Sequence, residues 1–201
     1  MTLKKSDFYY DLPEELIAQT PASPRDSSRL LSYSIRDGKV GHYIFSDIKM
    51  FLKKGDVLVV NNTKVLEARL HAYDEKGRKY EILLLKRMDL RNWEALVKPA
   101  RKAKTGSLLV VNEELKLRIN GITDNGVRLI EFYYEGTFED ILSRVGEVPL
   151  PPYITEKLSD KDRYQTVYCK NLGSSAAPTA GLHFTNELLS DLRNMGVEII
   201  E

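Results

Sequence analysis

The chain has 201 residues, of which 42% are apolar and 29% charged, and its 30 basic and 29 acidic residues leave a net charge of +1. This composition excludes a disordered tail, a collagen-like fibre and a histone-like polycation. No apolar run approaches the roughly 18 residues of a membrane helix, and the first residues lack the apolar stretch of a signal peptide. A single cysteine, Cys169, cannot form an internal disulfide or anchor a zinc site alone. The sequence predicts a cytoplasmic protein without a membrane partner.

The N-terminal part of the chain predicts a short helix and then a β-hairpin. Pro13 suits the first turn of a helix that ends near Ile17, and a loop rich in Pro, Ser, Arg and Asp follows it. Residues 29–36 and 39–45 then flank Asp37-Gly38, a pair of residues that is preferred in tight hairpin turns.

A second short helix and a buried strand are predicted next. Ser46 is placed to cap a helix over residues 47–52, and Gly55 ends that helix. Residues 56–61 predict a strand that is apolar enough to be buried on both faces.

Residues 65–145 predict an inserted all-β domain. Short runs rich in β-branched and aromatic residues recur at intervals of roughly 8 to 12 residues, which is typical of a small barrel or sandwich. Glycine-containing turns such as Asp124-Asn125-Gly126 separate the runs. A short helix capped by Thr137 and ended by Gly146 closes this region.

The C-terminal part predicts a linker, two strands and a helix. The proline-rich residues 149–152 must be extended, residues 164–169 predict a strand, and residues 173–184 a loop. Thr185 is placed to cap a helix that ends at Gly196 and precedes a strand. The apolar face of this helix comprises Leu188, Leu189, Leu192 and Met195. The predicted fold is therefore an incomplete α/β domain, residues 1–64 with 146–201, that carries a barrel-like insert.

The loop before Thr185 is the first candidate site. Its small side chains let a ligand approach the backbone, and the following helix offers free N–H groups to a carboxylate or phosphate. Within it His183 is the best candidate acid or base, since its ordinary pKa lies near neutrality. An ordinary connection with a structural histidine is the alternative. His42 and His71 lie in apparent strands, where surface or packing roles are expected, and no metal cluster is apparent.

Two further polar clusters follow predicted strands. The segment Asn61-Asn62-Thr63-Lys64, with Arg69 beyond it, carries amide, hydroxyl and ammonium groups that can orient a polar substrate, or it simply turns the chain. In the second cluster Arg163 can hold a carboxylate or phosphate through two bonds, and Tyr164 can stack on a base. The alternation of Tyr164, Thr166 and Tyr168 is equally explained by packing.

The segment 86–104 holds seven basic and two acidic residues. A phosphate-rich partner would be attracted to it, although an ordinary solvated face explains the same composition. The candidate phosphate contacts are Arg91, Lys98, Arg101, Lys102 and Lys104.

Seven blocks of sequence together resemble one known family. They are DFYYDLPEELIAQ at residues 7–19, PRDSSRLL at 24–31, VVNNTKV at 59–65, ARL at 68–70, LPPYI at 150–154, DRYQTVY at 162–168 and AAPTAGLHFT at 176–185. In this order they closely resemble the S-adenosylmethionine:tRNA ribosyltransferase-isomerase family of queuosine biosynthesis.

The resemblance implies a cytoplasmic enzyme that moves the ribosyl part of S-adenosylmethionine onto 7-aminomethyl-7-deazaguanine at the tRNA wobble position. The product would be epoxyqueuosine in tRNA, with adenine and methionine released and no metal required. It implies an α/β domain with an inserted β-barrel, His183 as acid or base, and Arg163 and Lys64 orienting anionic groups. The other implied contacts of substrate are Asn62, Thr63, Arg69, Tyr164, Gln165, Pro178, Thr179, Ala180, Gly181 and Phe184.

Two features depart from the family pattern. Asn62 stands where the family often has aspartate, which weakens a role for that position as a base. Family members also continue beyond the position of Glu201, with a His-Val-Gly-x-Gly-Thr-Phe block. We therefore expect the 201-residue chain alone to be nearly inactive and either a fragment or self-associating through its C-terminal end, whereas the longer protein is expected to be a monomer. The alternative function is a non-catalytic tRNA-binding or interaction fragment.

Overall fold

The computed structural model describes residues 3–156, 160–174 and 176–201, so that Ser175 of the predicted small-residue loop lies outside the described residues. Its strands are β1 Arg29–Tyr33, β2 Val40–Ile44, β3 Val57–Val59, β4 Thr63–Val65, β5 Arg69–Tyr73, β6 Lys79–Arg87, β7 Asn92–Lys98, β8 Leu108–Val110, β9 Lys116–Ile122, β10 Arg128–Tyr133, β11 Asn171–Ser174 and β12 Glu198–Ile200. Its α-helices are α1 Phe138–Val145 and α2 Asn186–Asn194. Over the described ranges no helix combines the length and apolarity needed to cross a membrane.

The predicted barrel is confirmed. Six antiparallel strands close on themselves in the order β10-β7-β6-β5-β8-β9. Alternate residues point inward, as Tyr80, Ile82 and Leu84 do on β6, and they form the larger apolar core. Helix α1 covers one end of the barrel with Phe138, whose ring lies 5.6 Å from that of Trp93. Each large side chain buried in this way stabilises the barrel by about 1.5–3 kcal/mol.

The two ends of the barrel sequence meet. The Arg69 N–H donates to the Glu147 carbonyl at 3.0 Å, and the Glu147 N–H donates back to the Arg69 carbonyl at 2.8 Å. Gly146 precedes this bridge, and a Cβ at that position would overlap the Glu67 carbonyl oxygen. The chain therefore enters and leaves the barrel side by side, through a gap that only glycine fits.

Outside the barrel a second apolar core forms around α2. The antiparallel hairpin β1–β2 is confirmed, with Gly38 in the left-handed region at φ 69°. This part of the chain also contains two pairs of parallel strands, β4 with β11 and β3 with β12. The buried residues of this core are Phe45, Phe184, Leu188, Leu189, Leu192 and Val197. Met195, predicted to share the apolar face, follows α2 and is exposed.

The prediction of a strand buried on both faces over residues 56–61 is wrong. Strand β3 comprises only Val57–Val59, and Val57 and Val59 are 51% and 74% exposed. Among the strands that the structure describes, β3 pairs with β12 alone, and no described element covers its outer face. The predicted cap of the helix before β3 is also wrong, because the Asp47 carboxylate, not Ser46, accepts the free Ile44 N–H at 3.1 Å. That helix is a 3₁₀ helix, Phe45–Phe51.

The predicted strand over residues 164–169 is also absent. Lys161–Tyr164 forms a 3₁₀ helix, which begins where the Asp160 carboxylate accepts the Asp162 N–H at 2.9 Å. The strand of this region comes later in the chain, as β11, and the predicted loop after it contains another 3₁₀ helix, Thr179–His183. The alternation of Tyr164, Thr166 and Tyr168 therefore does not reflect one face of a strand.

Helices α1 and α2 provide a matched test of capping. Both follow a threonine, but only the Thr185 hydroxyl accepts a backbone N–H, that of Leu188 at 3.1 Å, whereas Thr137 makes no such bond. We expect Thr185→Ala to lower the free energy of unfolding by about 1 kcal/mol and Thr137→Ala by clearly less. Urea unfolding followed by circular dichroism measures the free energy of unfolding of both variants. Equal losses would contradict the assignment of Thr185 as the cap that forms a hydrogen bond.

Candidate functional site

A cavity of about 680 Å³ brings together four of the residues predicted for the site. It lies between the loop before β1, the proline-rich linker and the 3₁₀ helices Lys161–Tyr164 and Thr179–His183. The predicted residues that line it are Arg163, Tyr164, Thr179 and His183. A cavity of this size with convergent polar groups is the expected form of a small-molecule site.

Arg25 organises this cavity and was not among the predicted site residues. Its guanidinium donates to the carbonyls of Gln165 at 2.6 Å, Asp162 at 2.8 Å and Leu182 at 3.5 Å. One side chain thus holds the N-terminal loop against both 3₁₀ helices. Its partners are backbone carbonyls far along the chain, so that only the presence of Arg25 in the block PRDSSRLL pointed towards it.

Two guanidinium groups approach each other at this cavity. Burial, and then the positive charge of Arg163, lower the pKa of Arg25, although Asp160 and Asp162 oppose this effect. Arg163 donates to the Ala22 carbonyl. Within the described residues neither guanidinium forms an ion pair with a carboxylate, so the pair favours an anionic group of a ligand.

His183 and Tyr164 supply the groups that can exchange or share a proton. The His183 ring is half-buried and lies 5.0 Å from the Phe45 ring at an interplanar angle of 37°. Burial raises the pKa of Tyr164, and the nearby Tyr153 adds to the rise. The Tyr164 phenol therefore stays protonated at neutral pH and can donate a hydrogen bond into the cavity.

The small residues before α2 have two different surroundings. Thr179 and Ala180 are exposed and Pro178 is half-buried, whereas Gly181 is the buried residue of the 3₁₀ helix Thr179–His183. A Cβ on Gly181 would overlap the Tyr168 hydroxyl oxygen. Phe184 is also buried, with its ring 5.0 Å from that of Phe45 and perpendicular to it. Gly181 and Phe184 therefore support the cavity from below, and their contact with substrate stays a prediction.

Gln165 connects this region to the entrance of the barrel. Its buried side-chain amide accepts from the Val65 N–H at 2.9 Å and donates to the Val65 carbonyl at 2.8 Å. The predicted contact of Gln165 with substrate remains a prediction, but its amide is already engaged by two hydrogen bonds in this structure.

The Asn61–Lys64 cluster does not line the 680 Å³ cavity. The Asn62 side chain accepts from the Asn171 side chain at 3.0 Å and donates to Glu201 at 3.1 Å. Thr63 donates its N–H and hydroxyl to the Asn61 side chain, and Lys64 is exposed. These residues align β4 with β11.

Arg69 lies apart from the 680 Å³ cavity and from the Asn61–Lys64 cluster. Its guanidinium donates to the Leu150 carbonyl at 3.2 Å and lines a separate cavity of about 270 Å³ beside Glu147. The structure thus places Arg69 where the barrel joins the rest of the chain.

The predicted basic segment is divided between opposite ends of the barrel. Arg91 precedes β7 and Lys98 ends it, which separates them by roughly 20 Å at about 3.3 Å per residue. The Arg91 guanidinium lies 5.0 Å from the Tyr134 ring and shares a cavity with Glu113, Glu114 and Glu135. Arg101, Lys102 and Lys104 lie at the Lys98 end.

A family model described as Queuosine biosynthesis protein matches residues 5–201, and the chain belongs to this family. The S-adenosylmethionine:tRNA ribosyltransferase-isomerase of Caldanaerobacter subterraneus subsp. tengcongensis is 54% identical over 200 residues, and the protein of the same name from Lachnoclostridium phytofermentans is 52% identical over 212. The matches cover 98% of this chain but 59% and 58% of those relatives.

A solved structure, the S-adenosylmethionine tRNA ribosyltransferase of Thermotoga maritima, is 34% identical. The match covers 97% of this chain and 56% of that one, with a TM-score of 0.40. In the described parts of the present structure, no three His, Cys, Asp or Glu side chains gather as a metal site would require.

The buried glycine provides a stability test for the floor of the cavity. Gly181→Ala would press a methyl group against the Tyr168 hydroxyl, and we expect a loss of about 1–3 kcal/mol in the free energy of unfolding. Adding Tyr168→Phe removes that hydroxyl, so the double variant should recover part of the loss. Thermal unfolding of the two single variants and the double variant measures the coupling, and strictly additive losses would contradict the contact.

Proposed function

We propose that the chain carries part of the active site of an S-adenosylmethionine:tRNA ribosyltransferase-isomerase. The substrates are S-adenosylmethionine and a tRNA with 7-aminomethyl-7-deazaguanine at the wobble position, and the products are epoxyqueuosine-tRNA, adenine and methionine. Membership of the queuosine biosynthesis family and the names of relatives above 50% identity support this proposal. The observation that carries it is the convergence of Arg25, Arg163, Tyr164 and His183 on one cavity.

The proposal includes the domain organisation and the location of the protein. Residues 1–64 with 146–201 are part of an α/β domain, and residues 65–145 are its inserted barrel domain. The parallel pairs β4–β11 and β3–β12, the helix α2 that precedes β12, and the bridge between Arg69 and Glu147 support this division. The reaction takes place in the cytoplasm, where tRNA is modified, and uses S-adenosylmethionine as a co-substrate without a metal.

The reaction needs a base, an anion-binding group and a water-poor pocket. A proton beside the positively charged sulfur must be removed and adenine must leave. The aminomethyl nitrogen must then bond to the ribosyl part, whose carbon–sulfur bond breaks so that methionine leaves with the electron pair on sulfur. His183 accepts the first proton, since a neutral imidazole is the best base available near pH 7. Arg25 and Arg163 hold the carboxylate of the methionine part, and the Tyr164 phenol donates a hydrogen bond to a neighbouring polar atom of the co-substrate.

The remaining predicted residues act around this centre. The backbone of Pro178, Thr179 and Ala180 contacts the co-substrate at the rim of the cavity, and that of Gly181 contacts it from the floor. Asn62, Thr63 and Lys64 orient the modified nucleotide from the β4 side, and Arg69 holds the junction with the barrel. Gln165 and Phe184 keep this arrangement in place through the Val65 backbone and the Phe45 ring.

Release of adenine tests the proposed activity directly. The chain is incubated alone, and fused to the C-terminal part of the Caldanaerobacter relative that it does not match, with S-adenosylmethionine and tRNA carrying the aminomethyl base. We expect tRNA-dependent adenine release from at least one of the two proteins. Absence of release from both would contradict the proposal and favour the alternative, a tRNA-binding fragment without catalysis.

A histidine substitution tests the assigned base in whichever protein is active. His183→Ala should lower the rate of adenine release by about 10²–10⁴-fold while tRNA affinity stays near that of the parent. The matched control is His42→Ala, which removes an exposed imidazole on β2 and should leave the rate unchanged. Equal losses of rate and tRNA affinity in His183→Ala would contradict the assignment of His183 as the catalytic base.

A further inference from the structure

Three turns form a positively charged end of the barrel, here called the basic end. The turns comprise residues 74–79, 98–107 and 123–128, which together contain eight basic and three acidic residues. The turns 74–79 and 98–107 share a cavity of about 590 Å³, lined among others by Lys76 and Lys102. Two of the three turns carry basic residues outside the segment predicted from the sequence.

Arg128 fixes the shape of the basic end from within. Only 7% of this residue is exposed, and its guanidinium donates to the carbonyls of Ala100 at 2.5 Å, Ala103 at 3.4 Å and Gly126. No carboxylate is among these partners, so its charge is solvated by carbonyl dipoles without being cancelled. The turn that presents Arg101 and Lys102 is therefore held rigidly and gains positive potential from beneath.

The acidic residues cancel little of this charge. The Asp74 carboxylate accepts the N–H groups of Lys76 and Arg78 and lies 3.6 Å from the Arg78 guanidinium, so these two charges neutralise each other. Six exposed basic side chains form no ion pair with any described residue. They are Lys76, Lys79, Lys98, Arg101, Lys102 and Lys104. Within the three turns, Glu75 and Asp124 are the acidic residues left to oppose them, and Glu81 on β6 lies opposite Lys98.

We propose that the basic end is a docking surface for the phosphate backbone of RNA, and this inference rests on the proposed tRNA substrate. The exposed cations of this end come from the turns 74–79 and 98–107 and spread over on the order of 15 Å, given the strand spacing in a six-stranded barrel, so that several successive phosphates are within reach. Within these three turns, all of which the structure describes, no large apolar side chain is exposed, and the partly exposed Tyr73, Leu108 and Val110 lie beside them on strands of the barrel. Arg91 is not part of this surface, because it lies at the opposite end among glutamates.

Matched triple substitutions test this surface. The first variant carries Lys98→Gln, Lys102→Gln and Lys104→Gln at the basic end. The control carries Lys86→Gln, Arg91→Gln and Lys116→Gln, which remove the same charge from exposed positions near the other end of the barrel. The dissociation constant of each chain for an unmodified tRNA transcript is measured by fluorescence anisotropy between about 50 and 200 mM KCl.

Each lost phosphate contact lowers the slope of log affinity against log salt by about one unit or less. We therefore expect the first variant to lose about two to three units of slope and about tenfold or more in affinity at 100 mM KCl. The control should lose less than one unit. Unchanged melting temperatures show that both variants are folded, as expected from the exposure of all six positions.

Equal changes in the two variants, or none in either, would overturn the docking surface while leaving the proposed reaction intact. If the unsubstituted chain binds no tRNA, the docking surface is wrong and the proposed RNA substrate is wrong with it. Binding to phosphatidylserine vesicles that the first variant loses, without a change in the tRNA slope, would assign the surface to membranes and also overturn the inference.

Discussion

The structure outside the barrel depends on a chain of hydrogen bonds that passes through Gln165. Arg25 donates to the Gln165 carbonyl, and the Gln165 amide pairs with both backbone groups of Val65. The N-terminal loop, the 3₁₀ helices around the cavity and the entrance of the barrel are thereby joined through one residue. Because the amide is buried, loss of either partner would leave polar backbone groups without water, at a cost of about 1–3 kcal/mol each.

The barrel was predictable because its signals are local. Alternation of apolar and polar residues sets which side chains of a strand such as β6 face inward, and glycines with positive φ, such as Gly77 and Gly126, mark the turns. The exposure of β3 was not predictable from such local signals. An apolar strand is buried on both faces only if neighbouring elements cover it. The sequence of the strand alone does not show which elements pack against it.

The candidate site was predictable only in part. Arg163, Tyr164 and His183 were found because polar and aromatic residues near element ends are the usual components of sites, and the structure brings them together. Arg25 was missed since its partners are carbonyls, which every residue possesses, at separations of 137 to 157 residues along the chain. The basic segment was treated as one surface because its residues are adjacent in sequence, whereas β7 carries its two halves to opposite ends of the barrel.

The bridge between Arg69 and Glu147 has a consequence for the folding order of the chain. The entropy lost on closing a loop rises with the logarithm of its length, by about 0.6 kcal/mol for each doubling. Once the barrel has formed, Arg69 and Glu147 are already neighbours. The loop that closes when β4 pairs with β11 is then about 30 residues, formed by 65–69 and 147–171, in place of about 107. This shortening, about two halvings of the loop, favours pairing of β4 with β11 by roughly 1 kcal/mol. The barrel thus acts as an intramolecular scaffold that brings two distant halves of the chain to one place.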